Sequence, residues 1–127
     1  MTNETLFIKT ADGVNHCFLV WVARSYADLD RGLAGLRGLD ADRGMVLDFG
    51  STILASVTMR GMLFPLDIVF LNSGGFVMFS TTAEPNDRFL RSSMARWVVE
   101  LPAGTVKRLG IDSSAHFRLV ARAAGVL

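Results

Sequence analysis

The residues that could do chemistry in this sequence are few, and the most conspicuous is Asp67. It stands alone in an otherwise apolar run, GMLFPLDIVFLN, over residues 61–72. A carboxylate there could be a catalytic acid, a metal ligand, or a buried anchor for backbone or arginine. Catalysis or metal binding would need a second acid, base or ligand nearby, and the sequence marks none. An unpaired buried charge is too costly to keep. Asp67 is therefore expected to accept backbone N–H groups or to pair with an arginine such as Arg60 or Arg118. On a strand it shares a face with Pro65 and Val69, opposite Leu66, Ile68 and Phe70.

The other reactive types do not combine into a site. His16 and Cys17 are adjacent, so on a strand they point to opposite faces and cannot chelate one metal. Cys17 is expected to act as a small core residue. With His116 as the only other histidine, no ligand spacing appears, and neither a metal nor a cofactor is expected. Asp112, Ser113, Ser114 and His116 are the residue types of a hydrolase, but no G-x-S-x-G elbow frames them. They read more simply as the lead into a last strand. The G-L-A-G-L-R-G stretch at residues 32–38 has neither the P-loop lysine nor a preceding strand for a dinucleotide fingerprint. Arg88, Arg91 and Arg96, beside Phe89 and Trp97, form the densest basic cluster. Glu84, Asp87 and Glu100 dilute it, which favours salt bridges at a protein interface over an anion site. No catalytic residues are assigned, and the chain is expected not to be an enzyme.

Composition bounds what these residues can belong to. The 127 residues suit one domain with one ordinary core. Half are hydrophobic and a fifth charged, which argues against disorder. A formal net charge of +1 gives no electrostatic case for direct nucleic-acid binding. One cysteine excludes an intramolecular disulfide. The longest apolar runs, such as FLVWVA at residues 18–23, are far short of the roughly 20 residues of a membrane span. The opening MTNETLFIKT lacks a basic start followed by an apolar core, so no signal peptide is read. A cytoplasmic location is expected, or a virion if the chain is phage-encoded. A mean hydropathy of +0.37 is high for a soluble monomer. It implies strands buried on both faces, or a surface covered in a homo-oligomer or larger assembly.

The elements follow from periodicity. TLFIKT, an Asp12-Gly13 turn and residues 14–23 form a hairpin. Ser25 with Asp28 three residues on starts a helix, with Leu29, Leu33 and Leu36 on its apolar face. Its glycines weaken it, and it is expected to end near Gly38. Strands are then predicted at 44–49, 53–59, 66–72, 76–82, 95–101 and 115–122. An irregular excursion separates two of them at 84–94, and one or two helical turns lie at 103–109. Seven or eight strands with one real helix define a mainly-β domain, a sandwich or distorted barrel.

Three segments then carry a family resemblance. R-G-L-A-G-L-R-G-L-D-A-D-R-G-M-V-L-D-F (residues 31–49) resembles the helix-to-strand segment of the DUF192 family, also catalogued as COG1430. M-R-G-M-L-F-P-L-D-I-V-F-L (59–71) resembles its central W-M-K-N-T-x-x-P-L-D-I-x-F. V-V-E-L-P-A-G-T-V-K-R-L-G-I (98–111) resembles its V-x-E-x-x-A-G-x-x-x-x-x-G-I. The resemblance implies a single β domain with one helix packed on it, and no reaction. It places Gly44, Met45, Met59, Pro65, Leu66, Asp67, Glu100 and Gly104 in the structural motif. The polar motif is altered: Thr58 stands for Trp, and Arg60, Gly61 and Met62 stand for Lys-Asn-Thr. The cluster of Arg88, Phe89, Arg91, Arg96 and Trp97 remains the candidate interface.

Two functional expectations result. The first is a non-enzymatic structural or assembly protein, such as a phage virion component that decorates a capsid. The second is a soluble bacterial small-ligand-binding module. Its pocket would lie between residues 59–65 and the helix at 26–36, unless Met62, Leu63 and Phe64 fill that space.

Overall fold

Among the described residues each of the nine regular elements overlaps an expected one, a single long strand covering two of them, and turn chemistry explains several boundaries. The structure, a computed structural model, describes residues 1–85, 87–88 and 91–122. In chain order the elements are β1 (Thr2–Lys9), β2 (Asn15–Ala23), α1 (Tyr26–Arg31), β3 (Arg43–Val57), β4 (Leu66–Leu71), β5 (Val77–Ala83), β6 (Arg91–Pro102), α2 (Thr105–Leu109) and β7 (His116–Ala121). At the first hairpin the Asp12 carboxylate accepts the Val14 N–H at 3.1 Å and the Thr10 hydroxyl. At the β4–β5 turn the Asn72 side chain accepts N–H groups of Gly74 and Phe76 at 2.9 and 3.0 Å. Both are side chains substituting for backbone in a tight turn. No described helix is long and apolar enough to cross a membrane.

The strands form one seven-stranded sheet in the order β5-β4-β6-β3-β2-β1-β7. All pairings are antiparallel except β2 with β3, whose parallel register is reached through α1 and its following loop. The mainly-β expectation holds, in the form of a single sheet that is not closed into a barrel. The sheet is nonetheless strongly curled. Leu71 on β4 and Phe117 on β7 border one small cavity, although five strand spacings of about 4.8 Å would separate them in a flat sheet. One isolated bridge, Phe76 to His116, joins the two ends of the curl.

Three predicted boundaries differ. The two strands expected at 44–49 and 53–59 are one, β3, interrupted by a register shift between Asp48 and Ile53. Gly50, at φ +78°, lies within that bulge. The excursion expected at 84–94 ends sooner, because Arg91 to Met94 pair with Leu54 to Val57. The helix begins as expected, with Ser25 Oγ accepting the Asp28 N–H at 3.2 Å, but stops at Arg31. Gly32 ends it at φ +53°. Leu29, Leu33 and Leu36 still reach the same core, Leu29 from the helix and the other two from the loop that follows it.

Each face of the sheet carries a core. Inside the curl lie Leu6, Ile8, Val20, Val46, Val69 and Leu101 among others. On the opposite face Met45, Leu47, Ile68, Phe70 and Val98 are covered by α1, its loop and Met59 and Met62. Strand β4 has no exposed residue, as expected for a strand covered on both sides. Cys17 contradicts its sequence reading: it is exposed, not in the core. Alternation sends Phe18, Val20 and Val22 inward, and the covering segment does not extend over Cys17 on the other face.

Gly75 closes the curl. Its carbonyl accepts the Phe117 N–H at 2.9 Å, and its φ of +83° lies in the glycine-favoured region. A Cβ there would sit 2.4 Å from the Phe117 carbonyl oxygen. Gly75→Ala is expected to destabilise by roughly 2 kcal/mol or more, through strain and lost edge pairing. Urea unfolding of the two proteins measures it.

Candidate functional site

Two carboxyl groups are buried on β4 and β6, and their surroundings are opposite. Asp67 is 1% exposed. Its Oδ1 accepts the Thr82 hydroxyl at 2.6 Å, across the β4–β5 pair. Its Oδ2 accepts the Val106 N–H at 2.8 Å. Val106 is in the first turn of α2, whose N-cap, Gly104, offers no side-chain cap. Asp67 therefore caps the helix from a distant strand, satisfying a donor that the helix itself leaves open. The backbone-anchor expectation holds. The arginine partners do not: the Arg118 guanidinium lies over the Phe7 ring at 4.8 Å, and Arg60 is at another site.

Glu100 has no such partners. On β6 it sits between Met45 of β3 and Ile68 of β4, so its side chain enters the apolar face covered by α1. It is 4% exposed, and its Oε1 is buried without a hydrogen bond. Among described residues the only other such side-chain atom is Arg43 Nε, and that guanidinium stacks over Trp21 at 4.0 Å. Burial alone pushes the Glu100 carboxyl up from 4.5 to about 7. Glu4 makes the contrast. Burial pushes it up too, but hydrogen bonds from Arg24 and Thr2 outweigh that and leave it lowered.

Glu100 lines a cavity of about 120 Å³, while its unpartnered Oε1 is itself sealed from solvent. Leu29, Asp30, Arg31, Gly32 and Leu33 form one wall, and Thr58, Arg60 and Met62 another. Leu47, Ser56 and Val57 complete the lining. A second cavity of about 230 Å³ lies across residues 31–33, against Trp21, Leu36 and Met45. Gly32 is the thinnest part of the cover: a Cβ on it would lie 3.3 Å from Glu100 Oε1. Gly32→Ala is expected to cost roughly 1–3 kcal/mol through strain at φ +53°. It should also narrow the space above the carboxyl. Thermal unfolding reads the first effect, and ligand titration the second.

The sequence-derived residues fall into two groups. Gly44, Met45 and Met59 surround the Glu100 region, and a Cβ on Gly44 would lie 2.8 Å from the Glu100 carbonyl. Leu66, Asp67 and Gly104 position α2, with Pro65 half-buried just before β4. The altered motif positions Thr58, Arg60 and Met62 all line the Glu100 cavity. That is where the ligand-module expectation put a pocket. Met62 borders it without filling it, and neither Leu63 nor Phe64 is in the lining.

The proposed basic interface does not form one free surface. Arg96 pairs with Asp48 and lies over Trp97 at 4.3 Å. Trp97 borders the inner cavity with Leu6 and Phe117. Arg91 pairs with Asp87, Arg88 is exposed, and Phe89 lies outside the described residues. The Asp112 carboxylate bonds Ser114 N and Oγ, while His116 Nε2 lies 3.1 Å from the Gly74 carbonyl. These are turn and strand-start contacts. Among described residues no three metal-ligating side chains gather. Sequence reasoning placed Glu100 only in the scaffold. The signal was available: an acid inside W-V-V-E-L-P is the same anomaly as Asp67.

A curled mainly-β sheet with a helix-and-loop cover over a buried acid defines the class. The chain belongs to the DUF192 family, described as uncharacterized ACR, COG1430, whose profile it matches over residues 7–119. It is similar to a Sinorhizobium meliloti 1021 protein described as a "putative transcription regulator", with a TM-score of 0.89 and 31% identity over 93% of this chain and 94% of that one. It is also similar to a protein of unknown function from Novosphingobium aromaticivorans DSM 12444, with a TM-score of 0.85 and 26% identity over 90% and 83%. No curated protein sequence matches.

Proposed function

We propose that this chain is a small-ligand-binding module whose site is the cavity over Glu100. The observation that carries the reading is the buried Glu100 carboxyl, unpartnered at Oε1, in the lining of a cavity. Leaving a buried polar atom unmade costs about 1–3 kcal/mol, a cost that a bound ligand would remove. Apolar walls from Leu29, Leu33, Leu47 and Met62, with a few polar groups converging on them, are the usual makeup of a small-molecule site. Binding is the role we propose: among the described residues no second acid or base hydrogen-bonds Glu100 to share a proton transfer.

A thermal-shift screen of small polar compounds tests it. A ligand present at 100 times its Kd stabilises by about 2.7 kcal/mol, which is a shift of several degrees for a domain of this size. The shift should vanish in Val57→Phe, which enlarges a side chain that lines the cavity from the Glu100 face of β3. Hits that persist in a folded Val57→Phe would refute the site.

A second reading, an assembly protein, is favoured by one different observation. Leu54 on β3 and Met94 on β6 pair across the sheet and are 67% and 47% exposed. Covering such a patch by self-association is a familiar use of apolar surface. Light scattering across a concentration series should then give a trimer or larger species, and a monomer at high concentration would exclude it. The narrower role of a phage capsid decoration protein draws no support from the named relatives.

A further inference from the structure

Resting on the ligand-binding reading, we infer that the ligand of the Glu100 cavity is a small amino-carboxylic acid, its ammonium on Glu100 and its carboxylate on Arg60 and Arg31. Three observations carry this. The floor is the lone Glu100 carboxyl, which takes no hydrogen bond from backbone or side chain among the described residues. The walls carry two guanidiniums, Arg31 and Arg60, neither of which forms an ion pair among the described residues. The space, about 120 Å³, is roughly that of four waters. A molecule with a donor head and an anionic tail, only a few atoms apart, meets all three conditions.

The energetics favour the charged form at each end. A carboxylate bonded to an ammonium makes a charge-assisted hydrogen bond, about twice as strong as a neutral one. Arginine is suited to the other end because its planar fork engages a carboxylate through two parallel bonds. Asp30 also borders the cavity. It leaves the walls with two positive charges and one negative, so a dianion is disfavoured relative to a single carboxylate. Glu100, Asp30, Arg31 and Arg60 are the only titratable side chains lining the cavity among described residues.

Protonation supplies an independent signature. Below neutrality the buried Glu100 carboxyl holds its proton, because burial pushes it up to about 7. An ammonium binds the ionised form, so binding displaces that proton to solvent. Affinity must therefore rise with pH through neutrality. A ligand that accepted a hydrogen bond from protonated Glu100 would show the reverse.

The experiment compares four probes of similar size by isothermal titration at pH 6 and pH 8. L-alanine carries both charges, ethylamine only the ammonium, propionate only the carboxylate, and 1,2-propanediol neither. Alanine is expected to bind at least tenfold more tightly than the other three, more tightly at pH 8, and with proton release in paired buffers. Glu100→Gln should weaken alanine at least tenfold and abolish proton release. Arg60→Gln, an exposed change that leaves folding intact, should weaken alanine several-fold without altering ethylamine. Binding of propanediol or propionate alone, or tighter binding at pH 6, overturns the inference while leaving a ligand site in place. No binding by any probe, with no hit in the wider screen, overturns both readings.

Discussion

Glu100→Gln is expected to raise stability at pH 8 and to flatten its dependence on pH between about 4.5 and 7. Burial raises the folded-state carboxyl from 4.5 to about 7. The folded protein therefore holds a proton that the unfolded chain releases over that interval. Stability from this group is fully present below pH 4.5 and is lost as pH rises towards 7. The gap, at about 1.4 kcal/mol per pH unit, corresponds to roughly 3 kcal/mol. Glutamine keeps the shape and cannot ionise, so it escapes the loss. Glu4 and Asp48 are shifted the other way. Burial pushes each up, but bonds from Arg24 to Glu4 and from Arg96 to Asp48 outweigh it. Their contribution is present above their ordinary values and falls away in acid, so it shapes the limb below about pH 4.5 in both proteins. The difference between wild type and Glu100→Gln isolates Glu100. Urea unfolding at pH 5, 6, 7 and 8 should show near-equality at pH 5 and a gap of 2–3 kcal/mol, in order of magnitude, at pH 8. A constant gap would mean that Glu100 does not titrate from a buried site.

Asp67→Ala should have the opposite sign and a similar size. Removing the carboxylate strands the Val106 N–H and the Thr82 hydroxyl, whose bonds to it are 2.8 and 2.6 Å. Each orphaned buried group costs about 1–3 kcal/mol. A loss of roughly 2–4 kcal/mol is expected, with early melting of α2, which this bond holds to β4. Faster hydrogen exchange at the Val106 amide is the local sign. The cavity over Glu100 is not lined by Asp67. Ligand affinity should therefore be unchanged in whatever fraction remains folded. A selective loss of binding with stability intact would give Asp67 a functional role that its contacts do not show.

These two acids also show how far the sequence reveals the molecule. Both are single carboxyls in apolar strands, and the rule that a buried charge needs a partner identified Asp67 as an anchor. Which partner it takes depends on a helix 39 positions later in the chain, and no local pattern encodes that meeting. Glu100 breaks the same rule. Its sequence reads as scaffold, and only the three-dimensional cover of Gly32 and Leu33 shows an acid left without a bond. The glycines at 32, 35 and 38 illustrate the limit in another way. Their cost to a helix was legible, but the apolar spacing of Leu29, Leu33 and Leu36 suggested that the helix would outlast them. Tertiary packing instead draws Leu33 and Leu36 against the core from a loop, after a helix that holds only Leu29.

The most direct test of the account is a chemical-shift titration of the ¹⁵N-labelled protein with L-alanine at pH 8. The account predicts saturable shifts confined to the cavity lining, with Gly32, Leu33, Thr58, Met62 and Glu100 moving together, and their loss in Glu100→Gln. Shifts absent at saturating probe, or centred instead on Leu54 and Met94, would contradict it and leave the assembly reading in its place.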